Sequence, residues 1–334
     1  MTERTGPALN GWLILDKPLG LGSTQGVSAV KRALREGGYA PTKKEMPKVG
    51  HGGTLDPLAT GVLPIALGEA TKLAGRMLDA SKCYDFTINF GTQTDGLDAE
   101  GTVVAHSDVR PTLERVLAVL PRFTGPIEQV PPAYSALKID GERAYDRARR
   151  GETVEMVARG VTIYSLEPLP STGGVGGGCC PDGAMLDDST HPNPSLGREG
   201  LNSITLTAHV SKGTYIRSLA RDIAIACGTV GHVAMLRRTR AGPFGLDAAI
   251  SLDILGESAK RRSLEEHILP LEAGLDGIPA LSLAPDEARL VRQGRTLFGQ
   301  SVNDGLYLAK DGSVPVALVM VIAGTLAVER GFNL

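Results

Sequence analysis

Apolar and polar positions divide the chain into short, frequently interrupted runs. Residues 11–18 read Gly-Trp-Leu-Ile-Leu-Asp-Lys-Pro, a short strand closing in a charged turn. Residues 28–35 read as a short helix, and 41–48 as a basic linker carrying Lys43, Lys44 and Lys48. The apolar run 62–67 fits a buried strand or a helix start, and periodicity does not separate the two. Residues 68–80 place Leu73, Met77 and Leu78 on one side of a helix, and 83–90 alternate as a strand. The polar run 91–101 is rich in turn formers and reads as a solvated hairpin connection.

Further on, 112–120 predicts a helix. Residues 129–138 form an extended segment stiffened by Pro131 and Pro132, and 143–150 a basic helix closed by Gly151. Strands are predicted over 161–166 and 203–210, and a helix over 218–227 with Gly228 as its cap. Between those strands, residues 171–202 break the rhythm with Gly, Pro, Ser and Asp. That composition buries too little apolar surface to offset the entropy of ordering, so a flexible insertion is expected. After a charged helix or linker at 252–264 the character changes. A helix at 285–293 and β-like segments at 306–310, 314–322 and 325–329 are separated by Asp-Gly and Ala-Gly turns. Two units follow, 1–250 and a β module over 251–334.

Composition narrows the functional classes. A net charge of −2 excludes a globally basic nucleic-acid binder, so any RNA or DNA surface must be local. Between Thr205 and Gly245 the basic residues are Lys212, Arg217, Arg221, Arg237, Arg238 and Arg240, against the single acid Asp222. That excess fits either a phosphate-contacting face or a solvated helix face. Cys83, Cys179, Cys180 and Cys227 form no C-x-x-C pair, so neither a zinc site nor a disulfide framework is expected. The run 314–328 comes nearest to a membrane span but is broken by Pro315 and Gly324, and residues 1–10 carry no apolar signal core. A soluble, cytoplasmic protein is expected.

Candidate chemistry concentrates in residues 49–64, Val-Gly-His-Gly-Gly-Thr-Leu-Asp-Pro-Leu-Ala-Thr-Gly-Val-Leu-Pro. Glycines let backbone approach a ligand closely, and Pro57 pushes Asp56 towards an extended conformation. Asp56 is then one carboxylate held on a tight loop, although Asp-Pro among glycines is also an ordinary turn. Gly20, Gly22 and Gly26 have the wrong spacing for a dinucleotide fingerprint, and 95–101 lacks the order of a calcium loop.

Gly50-His51-Gly52-Gly53-Thr54-Leu55-Asp56-Pro57-Leu58-Ala59-Thr60-Gly61 resembles the catalytic-aspartate motif of TruB-type tRNA pseudouridine-55 synthases. Leu15-Asp16-Lys17-Pro18, Lys82-Cys83-Tyr84, Tyr134-Ser135-Ala136-Leu137-Lys138, Gly213-Thr214-Tyr215-Ile216-Arg217 and Leu236-Arg237-Arg238-Thr239 follow in that family's order, over roughly residues 10–245. The stretch 171–202 is longer than the family's strand connection, and Val210 stands where a cysteine is common.

The resemblance implies a mixed α/β fold: a long, mainly antiparallel central sheet with flanking helices, plus a small PUA-like β domain. It implies an isomerase that needs no cofactor and no metal, whose partner is tRNA, through the T-stem-loop, with no membrane and no obligate protein partner. Uridine would be detached from its ribose at N1 and rejoined at C5. Asp56 would attack C6 or C1′, or remove a sugar proton so that a glycal forms. Arg217 would pair with it, since a close arginine favours the ionised carboxylate. Tyr84 would stack on the flipped uracil, His51 fill the gap or bond the loop, Tyr215 orient the base and Leu236 supply an apolar wall. Lys17, Lys212 and Arg237 would contact phosphates. A binding-only RNA chaperone would not need Asp56, Tyr84 and Arg217 together. A glycoside hydrolase would need a second placed carboxylate, and a zinc deaminase H-x-E with P-C-x-x-C.

Overall fold

The computed structural model describes residues 9–40, 42, 44–135, 137–139, 141–150, 152, 156–169 and 200–334. Cys179, Cys180 and residues 171–199 of the expected insertion lie outside the described residues.

An eleven-stranded sheet organises the chain. Its longer members are β1 (Gly11–Lys17), β2 (Val49–His51), β3 (Ala59–Leu67), β4 (Lys82–Phe90), β5 (Gly125–Gln129), β6 (Arg159–Pro168), β7 (Ser203–Val210) and β8 (Gly231–Ala241). Their spatial order is β1-β3-β8-β4-β7-β6-β5, with β2 on β3 and the short strand Ala249–Ile250 outside β1. Only β8 on β3 and Ala249–Ile250 on β1 run parallel. Every other pairing in this sheet is antiparallel. The run 62–67, open to two interpretations from sequence, is therefore strand. It lies between β1 and β8 and is buried on both faces, which accounts for its unbroken hydrophobicity.

Two layers cover the front of the sheet. On one half, Leu13, Leu15, Leu63 and Ile65 pack beneath α1 (Ser23–Glu36) and the helix Leu252–Arg261. On the other, Phe86, Ile88, Leu206 and Ala208 pack beneath Leu219, Ala220 and Ile223 of α2 (Ile216–Ala226). Tyr84 and Leu236 pack against both clusters, so the seam between the two layers runs past these side chains. Behind the sheet, Trp12, Ile14 and Val62 share a core with Phe244, Leu271 and, from the C-terminal unit, Leu308, Leu318 and Phe332.

The C-terminal unit is a five-stranded sheet in the order Ala280–Ser282, Gly305–Asp311, Val314–Ile322, Thr325–Gly331, Leu297–Phe298, with the helix Pro285–Arg292 and its own core. The fold is thus mixed α/β with a long, mainly antiparallel sheet and a small C-terminal β domain. The expected start of that domain at residue 251 falls inside elements of the large sheet. Leu255 and Ala259 pack into its front core, and Ile268–Leu269 pairs with β1. We place the division between residues 270 and 279.

Three local expectations change. α1 begins five residues earlier than residue 28, because the Gln25 side chain accepts from the Gly22 N–H at its start. Residues 68–80 split into a tight 3-10 stretch, Gly68–Leu73, and the helix Ala74–Asp79. Leu201 and Asn202 are fixed, not part of a flexible insertion. Leu201 is buried and donates its N–H to Pro111, while the Asn202 carbonyl accepts from Phe90. No helix among the described residues is long and apolar enough to cross a membrane.

Candidate active site

Asp56 lies on the loop between β2 and β3, its side chain 44% exposed. Its partner is Arg217, in the first turn of α2 and only 8% exposed; Nη2 lies 2.8 Å from the Asp56 Oδ2. The helix start is anchored by Tyr215, whose N–H donates to Gln129 Oε1 at 2.7 Å, and by Ser218, whose hydroxyl donates to the Val130 carbonyl. That satisfies groups a helix N-terminus otherwise leaves open and fixes where the Arg217 side chain begins.

The guanidinium is held on every side. Nη1 donates to the Gly96 carbonyl at 2.9 Å and to Asp98 Oδ2 at 3.2 Å, and Nη2 donates to the Tyr134 carbonyl at 2.9 Å. A buried cation is stable only when paired and hydrogen-bonded, and two carboxylates with two carbonyls provide this. Here the expectation of a solvated connection at 91–101 is overturned for its middle. The Leu97 side chain is buried, its carbonyl accepts from Val233 of β8, and Asp98 faces the guanidinium. Asp56, Asp98, Arg217 and Leu236 line one recess.

Tyr84 stands on β4, opposite Arg238 of β8 and Ala208 of β7. Tyr215 is half-buried. Burial pushes its phenol upward, and the charges of Asp56 and Arg217 reach it. His51 lies on β2 with a buried Nδ1 that has no hydrogen-bond partner. Burial first, and then the Arg238 charge, hold its imidazole below the ordinary value, so the ring is neutral at pH 7.

The expected phosphate contacts are largely engaged elsewhere. Lys17 is fully buried, and its Nζ donates to the carbonyls of Pro18, Leu21 and Pro57 at 3.0, 2.6 and 3.2 Å. An ammonium has three N–H groups, so none remains for a phosphate. Lys17 instead fastens the chain directly after Asp56. Arg237 makes a two-pronged pair with Asp16, and Lys212 pairs with Asp79. Arg221 pairs with Asp222, and Arg238 is buried against backbone carbonyls. Of the local basic excess, Arg217, Arg237 and Arg238 are thus committed within the fold, while the Lys212 pair is largely exposed.

Three groups carry no individual role from sequence, although two of them stand in the quoted motifs: Asp98, Arg238 and Lys82. Nζ of Lys82 donates to the carbonyls of Met77, Leu78 and Ala80, closing the C-terminal end of their helix. The one signal for Asp98 was Leu97, an apolar residue inside a polar run.

Comparisons with known proteins bear on this arrangement. A family model described as the N-terminal domain of TruB family pseudouridylate synthase matches residues 42–173. A second, described as the tRNA pseudouridylate synthase B C-terminal domain, matches residues 217–276. A protein of Novosphingobium aromaticivorans named tRNA pseudouridine synthase B is 60% identical over 327 residues, covering 98% of each chain. One of the same name from Zymomonas mobilis is 50% identical over 333 residues, covering 100% of this chain and 99% of the other. Among solved structures, one of a Cbf5–Nop10–Gar1 complex aligns with a TM-score of 0.65 at 25% identity, covering 97% of this chain and 85% of that one.

Proposed function

The chain belongs to the TruB family of pseudouridylate synthases, and from that premise we propose that it converts uridine 55 in the T-loop of tRNA to pseudouridine with Asp56 as its nucleophile. Pseudouridine formation in tRNA is the activity its close relatives are named for. The observation that carries the finer reading is the Arg217–Asp56 pair, 2.8 Å apart, with the carboxylate still 44% exposed beside Leu236. It is a fixed negative oxygen with an open side.

The target base is stacked in an RNA loop and must be turned out, at a cost of roughly a few kcal/mol. Stacking on the Tyr84 ring would return about 1–3 kcal/mol. The N1–C1′ bond breaks, a C5–C1′ bond forms, the C5 hydrogen leaves to solvent and N1 takes up a proton. Asp56 acts at C6, at C1′ or on a sugar proton, each of which needs an ionised carboxylate. Arg217 pairs with it and fixes its direction by a charge-assisted bond. Leu236 walls the recess, Tyr215 orients the base, and the neutral His51 ring fills the gap the base leaves or bonds the loop. The tRNA is bound through its T-stem-loop, in the cytoplasm, without an obligate protein partner.

The test is to map pseudouridines in total tRNA from cells with and without this protein. Loss at T-loop position 55 is expected. An intact position 55 with a loss elsewhere overturns the substrate assignment.

A further inference from the structure

We propose that Arg238 is a positioning residue for the reaction: from β8 it binds the backbone at both ends of the Asp56 loop and so sets the carboxylate's place relative to the Tyr84 ring. The inference rests on Asp56 being the catalytic group. It concerns a residue that touches neither Asp56 nor the exposed part of the recess.

Arg238 is 1% exposed. Its Nε donates to the Val62 carbonyl at 2.7 Å, Nη2 to Gly53 at 3.2 Å and Nη1 to Thr54 at 3.3 Å. Gly53 and Thr54 lead into Asp56, and Val62 lies on the strand that leaves it. One rigid planar fork thus ties the entry of the loop to its exit. Lys17 completes the bracket from the other side through the Pro57 carbonyl.

The main chain of Arg238 is equally committed. It pairs with Gly61 of β3 in the parallel register and with Tyr84 of β4 in the antiparallel one. Gly61 has φ +97°, and a Cβ there would lie 2.2 Å from the Arg238 carbonyl oxygen. Gly53 has φ +137°, and a Cβ there would stand 3.6 Å from the Arg238 Nη1. Gly61 is thus accounted for by the Arg238 backbone, whereas Gly53 is required by its own φ and leaves the guanidinium in ordinary contact. The same residue touches the Asp56 loop with its side chain and the Tyr84 strand with its backbone. Carboxylate and ring are therefore placed by one object. Its charge also acts on His51.

A guanidinium fork and an ammonium are not interchangeable in such a role, because the fork spreads its donors over three nitrogens in one plane, whereas an ammonium must gather its acceptors around a single nitrogen. Arg238→Lys keeps the buried charge and loses the fork. Arg238→Gln keeps two donors and loses the charge. Tritium release from 5-tritiated uridine in tRNA is measured for both, with tRNA affinity, thermal melting and the titration of the His51 ring signals. A displacement of about 1 Å at the reacting group costs about 100-fold in rate, so kcat of Arg238→Lys falls by about that factor while KM and tRNA affinity stay at the parent values. In Arg238→Gln the His51 pKa rises, because a like charge has been removed.

Wild-type kcat in Arg238→Lys overturns the proposal. So does a fall in kcat that only tracks the unfolded fraction, or failure of both variants to fold, either of which makes Arg238 a stability residue of the sheet. Failure of the catalytic reading itself shows separately, as turnover by Asp56→Asn.

Discussion

Asp98 and Asp56 share one guanidinium: Arg217 Nη1 lies 3.2 Å from Asp98 and Nη2 2.8 Å from Asp56. The two carboxylates differ in setting, with side-chain exposures of 18% and 44%. The enclosed one fixes the cation, and the open one is left facing the recess. The Gly96 and Tyr134 carbonyls prevent the guanidinium from turning about its own axis.

Asp56→Asn removes the negative oxygen and keeps the shape. Tritium release from C5 of the target uridine is expected to vanish while tRNA binding, measured by filter retention, persists. Substantial residual turnover would remove Asp56 from its role.

Asp98→Ala leaves Arg217 with a free N–H and a looser hold. A hydrogen bond to a charged group contributes about 1.5–3 kcal/mol, so turnover should fall by about 10–100-fold, with tRNA affinity little changed. Arg217→Ala should fall further and in the same sense. A loss confined to affinity would make Arg217 a phosphate clamp.

Burial pushes the ammonium groups of Lys17 and Lys82 down to about 8 from an ordinary 10.5. The unfolded chain keeps these protons up to the ordinary value, whereas the folded chain releases them near 8. Their contribution to stability therefore rises as pH climbs from about 8 to 10.5. Activity should move the other way in that window, since neutral Lys17 turns a lone pair towards one of three carbonyls around the Asp56 loop. Asp56 holds the Lys17 pKa up, so in Asp56→Asn the Lys17 titration should shift lower. Melting temperatures and turnover against pH separate the two trends. A joint decline would mean alkaline unfolding.

Among the six basic residues of 205–245, Arg240 is bonded through Nε to the Gly242 carbonyl, with no other hydrogen bond to the described residues, and with Arg76 it lines a cavity of about 310 Å³ beside Ser81. It is the best remaining phosphate contact of that stretch. Arg240→Gln should raise KM at unchanged kcat and lower the slope of log affinity against log salt by about 1. An unchanged slope removes it from the RNA surface.

Residues 171–199 join two strands that are already neighbours, with Pro168 opposite Leu206 and the Leu169 N–H bonded to Thr205. Replacing them by a short Gly-Ser linker should leave activity and melting temperature nearly unchanged, because loop closure depends only weakly on length. Extending the deletion through Asn202 should destabilise the protein, because Leu201 and Asn202 are bonded to Pro111 and Phe90.

Most strands were legible because their alternation and punctuation are local properties; 203–210 matches β7 to the residue. Asp56, Arg217 and Leu236 were named through motifs in a fixed order, and the fold brings these three to one recess. Lys17 and Arg237 read as phosphate contacts because charge in a sequence does not reveal whether a carbonyl or a carboxylate already takes it. A lysine on a strand end reads the same whether it meets phosphate or three carbonyls. Asp98 was missed because its partner is 119 residues away. Only the fold brings the hairpin loop onto α2. The domain division lies at the late end of the 250–275 range the composition suggests, because Ile268–Leu269 pairs with β1, a contact carried by backbone and not by side-chain pattern.

Trp12 is the only tryptophan in the chain, and it sits fully enclosed where the large sheet meets the C-terminal module. Its Nε1 donates to the Leu271 carbonyl at 3.0 Å, and the Phe244 ring lies 5.3 Å away. The molecule therefore carries an intrinsic fluorophore at its interdomain joint. Detachment of the C-terminal module alone would shift that emission to the red before the front of the sheet has changed, so the two halves can be followed separately without a label.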